Sequence, residues 1–97
     1  MKRRLISTIR ASGLTAFQKD VLLATLGIPE GETRTYSQIA ESIGRPRAAR
    51  AVGNALNKNP FAPQVPCHRV VGKHGLGGYA YGNEKKRGLL RAEGASY

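Results

Sequence analysis

The chain holds one cysteine, Cys67, followed directly by His68 and Arg69 in the stretch QVPCHRVVG, residues 64–72. A cysteine attacks as its thiolate, so a reactive one needs access and positive surroundings. Arg69, His68 and the charge of the whole chain supply the positive surroundings, while Pro66 stiffens the approach and Val65 and Val70 fix the flanks. A lone cysteine in a plain apolar run is packing material; set among Pro, His and Arg, Cys67 reads as a nucleophile. Neighbours on an extended chain point to opposite faces, so a water or a sharp turn has to connect His68 with Cys67. No second cysteine exists for a disulfide, and no CxxC or paired Cys/His spacing marks a zinc site. His68 and His74 bring a cysteine-based ligand set to three at most, and neither metal nor cofactor is expected.

Charge points to the partner. Sixteen Lys and Arg against six Asp and Glu give a formal net charge of +10 over 97 residues. Such a balance attracts polyanions, nucleic acid first among them, against the blander reading of a solubilising surface. An apolar content of 40% is enough for one modest core, and the length fits one domain. The basic start, MKRRLISTIR, lacks the apolar centre of a signal peptide, and no stretch approaches membrane-spanning length. A reducing, cytoplasmic location is therefore expected, where a thiol stays free, with no membrane partner.

The elements that must position these groups follow from caps and periodicity. Residues 1–14 read as a basic, weakly patterned arm with no assigned structure, and 15–97 as the domain proper. Thr15 and Gln18 form a capping box ahead of a helix carrying Phe17, Val21, Leu22 and Ala24, which Gly27 and Pro29 end. A turn through PEGETRTY leads into a short extended piece. Ser37 is expected to cap a second short helix, Gln38 to Ile43, stopped by Gly44. Pro46 fits the first turn of a third helix running to about Lys58. Helix, glycine-containing turn, helix is the outline of a helix-turn-helix. On the third helix Ala48, Val52, Ala55 and Leu56 share one face, and Arg47, Arg50, Asn54, Asn57 and Lys58 share the opposite one. An outer stripe of Arg, Lys and Asn without an acid suits phosphates and base edges, whereas an ordinary solvated face mixes both signs.

Beyond a proline-punctuated loop, Val70-Val71 reads as a short strand or buried extended piece. The glycine-rich loop GKHGLGGYAYGN lacks the strand-to-helix context of a dinucleotide fingerprint. Asn83 to Ala92 forms a final basic helix with Leu89 and Leu90 inward and Glu93-Gly94 at its end. The expected fold class is α+β, mostly α: a single winged-helix-like DNA-binding domain with a helix-turn-helix and short extended segments around the cysteine loop.

PCHRV, preceded by RPRAARAVGNALNKNP and followed by GGYAYG, resembles the O6-alkylguanine-DNA alkyltransferases, also called methylated-DNA–protein-cysteine methyltransferases. The likeness runs from about Phe17 to Gly94, with its motifs in the family's order. The resemblance implies a DNA repair protein that flips O6-alkylguanine out of duplex DNA and transfers the alkyl group once, irreversibly, to Cys67. It implies that His68 takes the thiol proton by way of a water and that Glu93 orients the histidine. Tyr36 matches the tyrosine that donates to the flipped base, Arg50 the arginine that fills the gap left by the nucleotide, and Asn59 the asparagine that braces the cysteine loop. The helix carrying Arg50 would enter the minor groove, where Ala48 and Ala49 permit close approach and sequence is barely read. Val65, Pro66, Tyr79, Ala80 and Tyr81 would line the substrate pocket, with Tyr79 in the loop that closes over the base. The implied partners are double-stranded DNA containing O6-alkylguanine and, beyond it, other repair proteins; a monomer is expected.

Some features depart from the family pattern. The short arm is expected to stand in place of the amino-terminal domain common in longer members, which would bear on stability and DNA affinity rather than on the nucleophile. The loop from Cys67 to Tyr79 is one residue shorter than usual. Tyr81 stands where some relatives have glycine, so O6-benzylguanine is expected to react poorly relative to O6-methylguanine. Alkyltransferase-like proteins, which bind such lesions without repairing them, typically carry tryptophan in the nucleophile's place; this chain has no tryptophan and keeps Cys67. A helix-turn-helix transcription regulator is the alternative from another class, and it would be indifferent to the loss of Cys67.

Overall fold

The chain runs α1 (Lys2–Ala11), α2 (Ala16–Leu26), β1 (Arg34–Thr35), α3 (Tyr36–Ser42), α4 (Ala49–Asn57), a 3-10 turn (Cys67–Arg69), β2 (Val70–Val71) and α5 (Asn83–Ala92). This is a computed structural model, and it describes residues 2–61, 64–73, 75, 77 and 82–95. The fold class is the expected one, α+β and mostly α. Residues 1–14, to which the sequence assigned no structure, contain α1. Its Leu5, Ile6 and Ile9 pack on the core, Ile9 completely buried, while Arg3, Arg4 and Arg10 stay exposed.

Two helices start on the same device. Thr15 accepts from the Gln18 N–H and the Gln18 side chain accepts from the Thr15 N–H, opening α2 as the sequence predicts. Thr35 and Gln38 repeat that exchange at α3. Thr35 therefore replaces Ser37 as the cap, and the helix begins at Tyr36 rather than Gln38. At the other end Gly44 takes φ 77°, a left-handed conformation that favours glycine. Its N–H donates to the Glu41 carbonyl, and that of Arg45 to the Ala40 carbonyl at 2.9 Å, which closes the helix end. Pro46 lies outside α4, contrary to expectation. Residues 45–48 make their own turn, with the Ala48 N–H on the Arg45 carbonyl, because a residue before proline resists helical backbone. The first bond of α4 runs from the Val52 N–H to the Ala48 carbonyl at 2.9 Å.

The core joins one face of each helix: Val21, Leu22 and Leu26 from α2, Ile39 and Ala40 from α3, Val52, Ala55 and Leu56 from α4, with Val65 and Val70 beside them. Fully burying each larger aliphatic contributes about 1.5–3 kcal/mol, so the helix-turn-helix is held mainly by what lies beneath it. β1 and β2 pair in parallel, Arg34 with Val70 and Thr35 with Val71. A parallel pair needs a long crossover, which α3 and α4 supply. Because β1 runs into Tyr36 and β2 follows the Cys67 turn, this ladder sets the two at a fixed separation. Among the described residues no helix is long and apolar enough to cross a membrane.

Candidate active site and nucleic-acid interface

Proline shapes the chain at the cysteine. Pro66 sits at φ −80°, ψ 66°, and the Cys67 N–H donates to the Val65 carbonyl at 2.8 Å. That is an inverse γ-turn, at a φ the pyrrolidine ring enforces. The 3-10 turn follows, with the Arg69 N–H on the Pro66 carbonyl and the Val70 N–H on the Cys67 carbonyl. The backbone here is therefore turned, the sharp turn being one of the two ways the sequence left open for joining His68 with Cys67. Buried Asn59 ties this loop from both sides: its amide donates to the Val65 carbonyl at 3.0 Å and its side-chain oxygen accepts from the Phe61 N–H at 2.8 Å. Cys67 itself is 5% exposed, with buried Val65 and Pro66 alongside.

His68 is buried and meets Glu93 at the end of α5, Nε2 to Oε2, at 3.0 Å. Arg69 lies on the same carboxylate, Nε to Oε1 at 2.9 Å and Nη2 to Oε2 at 2.5 Å. Its hydrogen bonds hold the Glu93 carboxyl below the usual carboxylate range; burial opposes this and His68 assists. The same contact raises the pKa of Arg69 above its ordinary value. Against an ionised Glu93, Nε2 is the nitrogen that donates, which leaves Nδ1 a bare acceptor. Nδ1 is buried, and among the described residues no side chain or backbone group bonds to it.

Arg69 corrects the sequence reading, which had it favouring the thiolate. Its guanidinium is committed to Glu93 and, through Nη1 at 2.7 Å, to the Ile28 carbonyl. The cation at the cysteine turn is one the sequence reading missed. Lys86 is completely buried and donates to the Val70 carbonyl at 2.6 Å, with its Nζ 5.7 Å from the centre of the Tyr36 ring. Burial pushes its pKa down to about 8, and the charge of Cys67 opposes that shift. Helical phase carried a signal for it, since Lys86 lies one turn before buried Leu90 on α5.

On the outer side α4 presents Arg50, Asn54 and Asn57 to solvent. Arg47 is exposed in the turn before the helix, not on the helix face expected for it, and Lys58 is exposed at the C-cap. Ala48, the N-cap, and Ala49 are half-buried. An open recess separates this helix from the start of α3, with Tyr36 and Ser37 on one wall and Ala49, Arg50, Gly53, Asn54 and Asn57 on the other. Lys73, absent from the sequence expectations, stands at its edge. Tyr36 is half-buried, and Gly77 lies against its ring: a Cβ there would fall 2.7 Å from Tyr36 Cε2, at a φ of 69°. The structure thus groups Cys67, His68, Glu93, Asn59, Val65 and Pro66 in one cluster and Tyr36 with Arg50, Ala49, Asn54 and Asn57 in the recess, Lys86 lying between the two. Arg47, Ala48 and Lys58 are not among the residues lining that recess. Tyr79, Ala80 and Tyr81 lie outside the described residues, as does His74.

Fold and site together define a helix-turn-helix domain with a cysteine, histidine and glutamate cluster behind its second helix. Residues 16–95 match the family described as 6-O-methylguanine DNA methyltransferase, DNA binding domain, and the chain belongs to that family. It is 61% identical over 79 residues to a probable methylated-DNA–protein-cysteine methyltransferase of Acanthamoeba polyphaga mimivirus, covering 81% of this chain and 53% of that protein. The Mycobacterium tuberculosis OGT crystallised in complex with DNA superimposes with a TM-score of 0.80 at 56% identity, covering 82% of this chain and 50% of that one. S. pombe Atl1, crystallised with damaged DNA containing O6-carboxymethylguanine, gives a TM-score of 0.77 at 31% identity, covering 88% of this chain and 82% of that one. The chain spans about half the length of the curated relatives it matches.

Proposed function

We propose that this protein repairs O6-alkylguanine in double-stranded DNA by one irreversible transfer of the alkyl group to Cys67. The observation that supports this reading is the geometry around the cysteine: Cys67 on a proline-shaped turn, with His68 next to it buried and held through Nε2 by Glu93. Nδ1 takes the thiol proton by way of a water, and the sulfur displaces guanine O6 from the alkyl carbon. Tyr36, half-buried at the recess, donates to the flipped base as charge develops on it. Arg50 occupies the space the base leaves, and Arg47, Asn54, Asn57 and Lys58 hold the backbone. Ala48 and Ala49 let α4 come close to the groove. Asn59 keeps the cysteine turn in place; Val65, Pro66, Tyr79, Ala80 and Tyr81 enclose the base. The unit acts as a monomer in the cytoplasm and needs no cofactor, and each chain acts once because nothing regenerates the thiol.

The names of the curated relatives support transfer. A second reading, a sensor that binds the lesion without repairing it, draws on the likeness to Atl1 over most of that protein's length; the retained Cys67 favours transfer. Nucleoside analysis of a duplex holding one O6-methylguanine decides between them. Lesion converted to guanine, saturating at one per chain and absent in Cys67→Ser, supports transfer. An intact lesion bound more tightly than normal DNA identifies a sensor, and no preference for damage a transcription regulator.

A further inference from the structure

Lys86 is the largest fully buried side chain among the described residues, and the histidine and carboxylate chemistry above leaves it without a role. It projects from α5 onto the turn that carries the cysteine, where its ammonium donates to the Val70 carbonyl. The N–H of that same residue closes the turn on the Cys67 carbonyl. On the other side lies the Tyr36 ring, whose face attracts a cation. An ammonium removed from water is strongly disfavoured unless something offsets the loss. Burial accordingly pulls Lys86 down to about 8, and the interaction that pulls it back is with Cys67. Such coupling is mutual: whatever favours charge on the lysine when the sulfur is ionised favours an ionised sulfur when the lysine is charged.

The other charges at the site are already matched. Arg69 and Glu93 neutralise each other, and His68 shares that carboxylate. Among the described residues, the titratable and charged groups near Lys86 include Cys67, His68 and Arg69 on the turn and Tyr36 on α3, with Glu93 at the end of α5 itself. Of these, Cys67 is the one that couples to it as an anion. We infer that Lys86 is the counter-charge of an ionised Cys67, holding the sulfur as the attacking thiolate and losing its anion when the sulfur is alkylated. The inference rests on the transfer proposed above and names a further residue for it. The sulfur lone pair forms the S–C bond, and the C–O6 bond breaks with its electrons passing to guanine. Guanine takes up one proton while Lys86, no longer facing an anion, gives one up. Thiolate, ammonium and O6-alkylguanine become thioether, amine and guanine, the thiol's own proton staying on His68, with no further reactant.

Iodoacetamide tests this without DNA, because iodide leaves without needing a proton. Lys86→Met, checked for folding by circular dichroism, slows modification of Cys67 at pH 7 by about tenfold. The rate recovers toward wild type as the pH rises and the sulfur ionises unaided. A rate–pH profile that superimposes on wild type overturns the inference. A second measurement needs no variant: wild-type protein capped at Cys67 with methyl methanethiosulfonate is melted beside uncapped protein at pH 7 and pH 9.5. Capping lowers the midpoint more at pH 7, where folding must bury the ammonium without its anion or strip its proton, than at pH 9.5, where the proton is given up at less cost. Equal losses at both pH values overturn the inference. A shifted iodoacetamide profile together with an untouched O6-methylguanine duplex upholds the counter-charge and removes alkyl transfer as its purpose.

Discussion

Two cationic regions of this molecule are built on opposite terms. On and beside α4, Arg47 in the turn before it, Arg50 within it and Lys58 at its C-cap stand exposed on a surface without acids. Behind it, Lys86 and His68 are buried, and Arg69 lies with His68 on Glu93, its side chain 12% exposed. Exposed charges interact weakly with one another, act nearly additively and are screened by salt. Buried ones are strongly coupled, and removing one leaves its partner uncompensated. In the proposed function the outer region grips the duplex and the inner one performs a single chemical act.

The largest separation between the regions is expected from Glu93→Gln. Loss of the carboxylate removes the anion that fixes Nε2 as donor, and single-turnover transfer falls by about 10²–10³-fold, while duplex affinity is unchanged. The same variant reports on stability. The folded-state pKa of Glu93 is depressed, so its contribution is present above the ordinary carboxylate value of 4.5 and lost as the pH falls through its folded pKa. Urea midpoints of wild type therefore fall in acid more steeply than those of Glu93→Gln. Comparable losses of affinity and rate would merge the two regions into one.

Arg50→Ala probes the outer region, with repair in duplex slowed by about tenfold, the equivalent of about 1.4 kcal/mol, and reaction with free O6-methylguanine base unaltered. Equal losses on both substrates would end its role in base extrusion. Asn59→Ala, which leaves the buried Val65 carbonyl short of a donor, lowers unfolding free energy by about 1–3 kcal/mol in chemical denaturation. The smallest effect belongs to Lys58→Ala: the slope of log affinity against log salt drops by about 1, with preference for damaged over normal DNA retained.

The outer region was the more legible in sequence, and the reason is physical. A helix face repeats, so Arg50, Asn54 and Asn57 declare their side by spacing alone, while Arg47 falls in the turn before α4 and Lys58 at its C-cap. The first capping box and the limits of α5 likewise rest on neighbours within one turn. The second box, Thr35 with Gln38, carries the same pattern as Thr15 with Gln18 but was masked by Ser37, an equally good cap by type. α1 escaped because a short basic helix owes its stability to packing on α2 more than to its own propensity. Cys67 was found from its company, but its turn was not, since three residues of 3-10 structure depend on Pro66 and on a bond from Asn59. Arg69 reaches a carboxylate 24 residues away, and Lys86 in NEKKRG looks solvated until its phase with Leu90 is drawn. Inner charges are legible only once the fold has chosen their partners.

The most direct measurement is tandem mass spectrometry of the peptide containing Cys67 after one turnover with a duplex holding a single O6-methylguanine. S-methylation at Cys67, in step with loss of the lesion, is the predicted result. A consumed lesion with Cys67 unmodified, or a methyl group on any other residue, would contradict it.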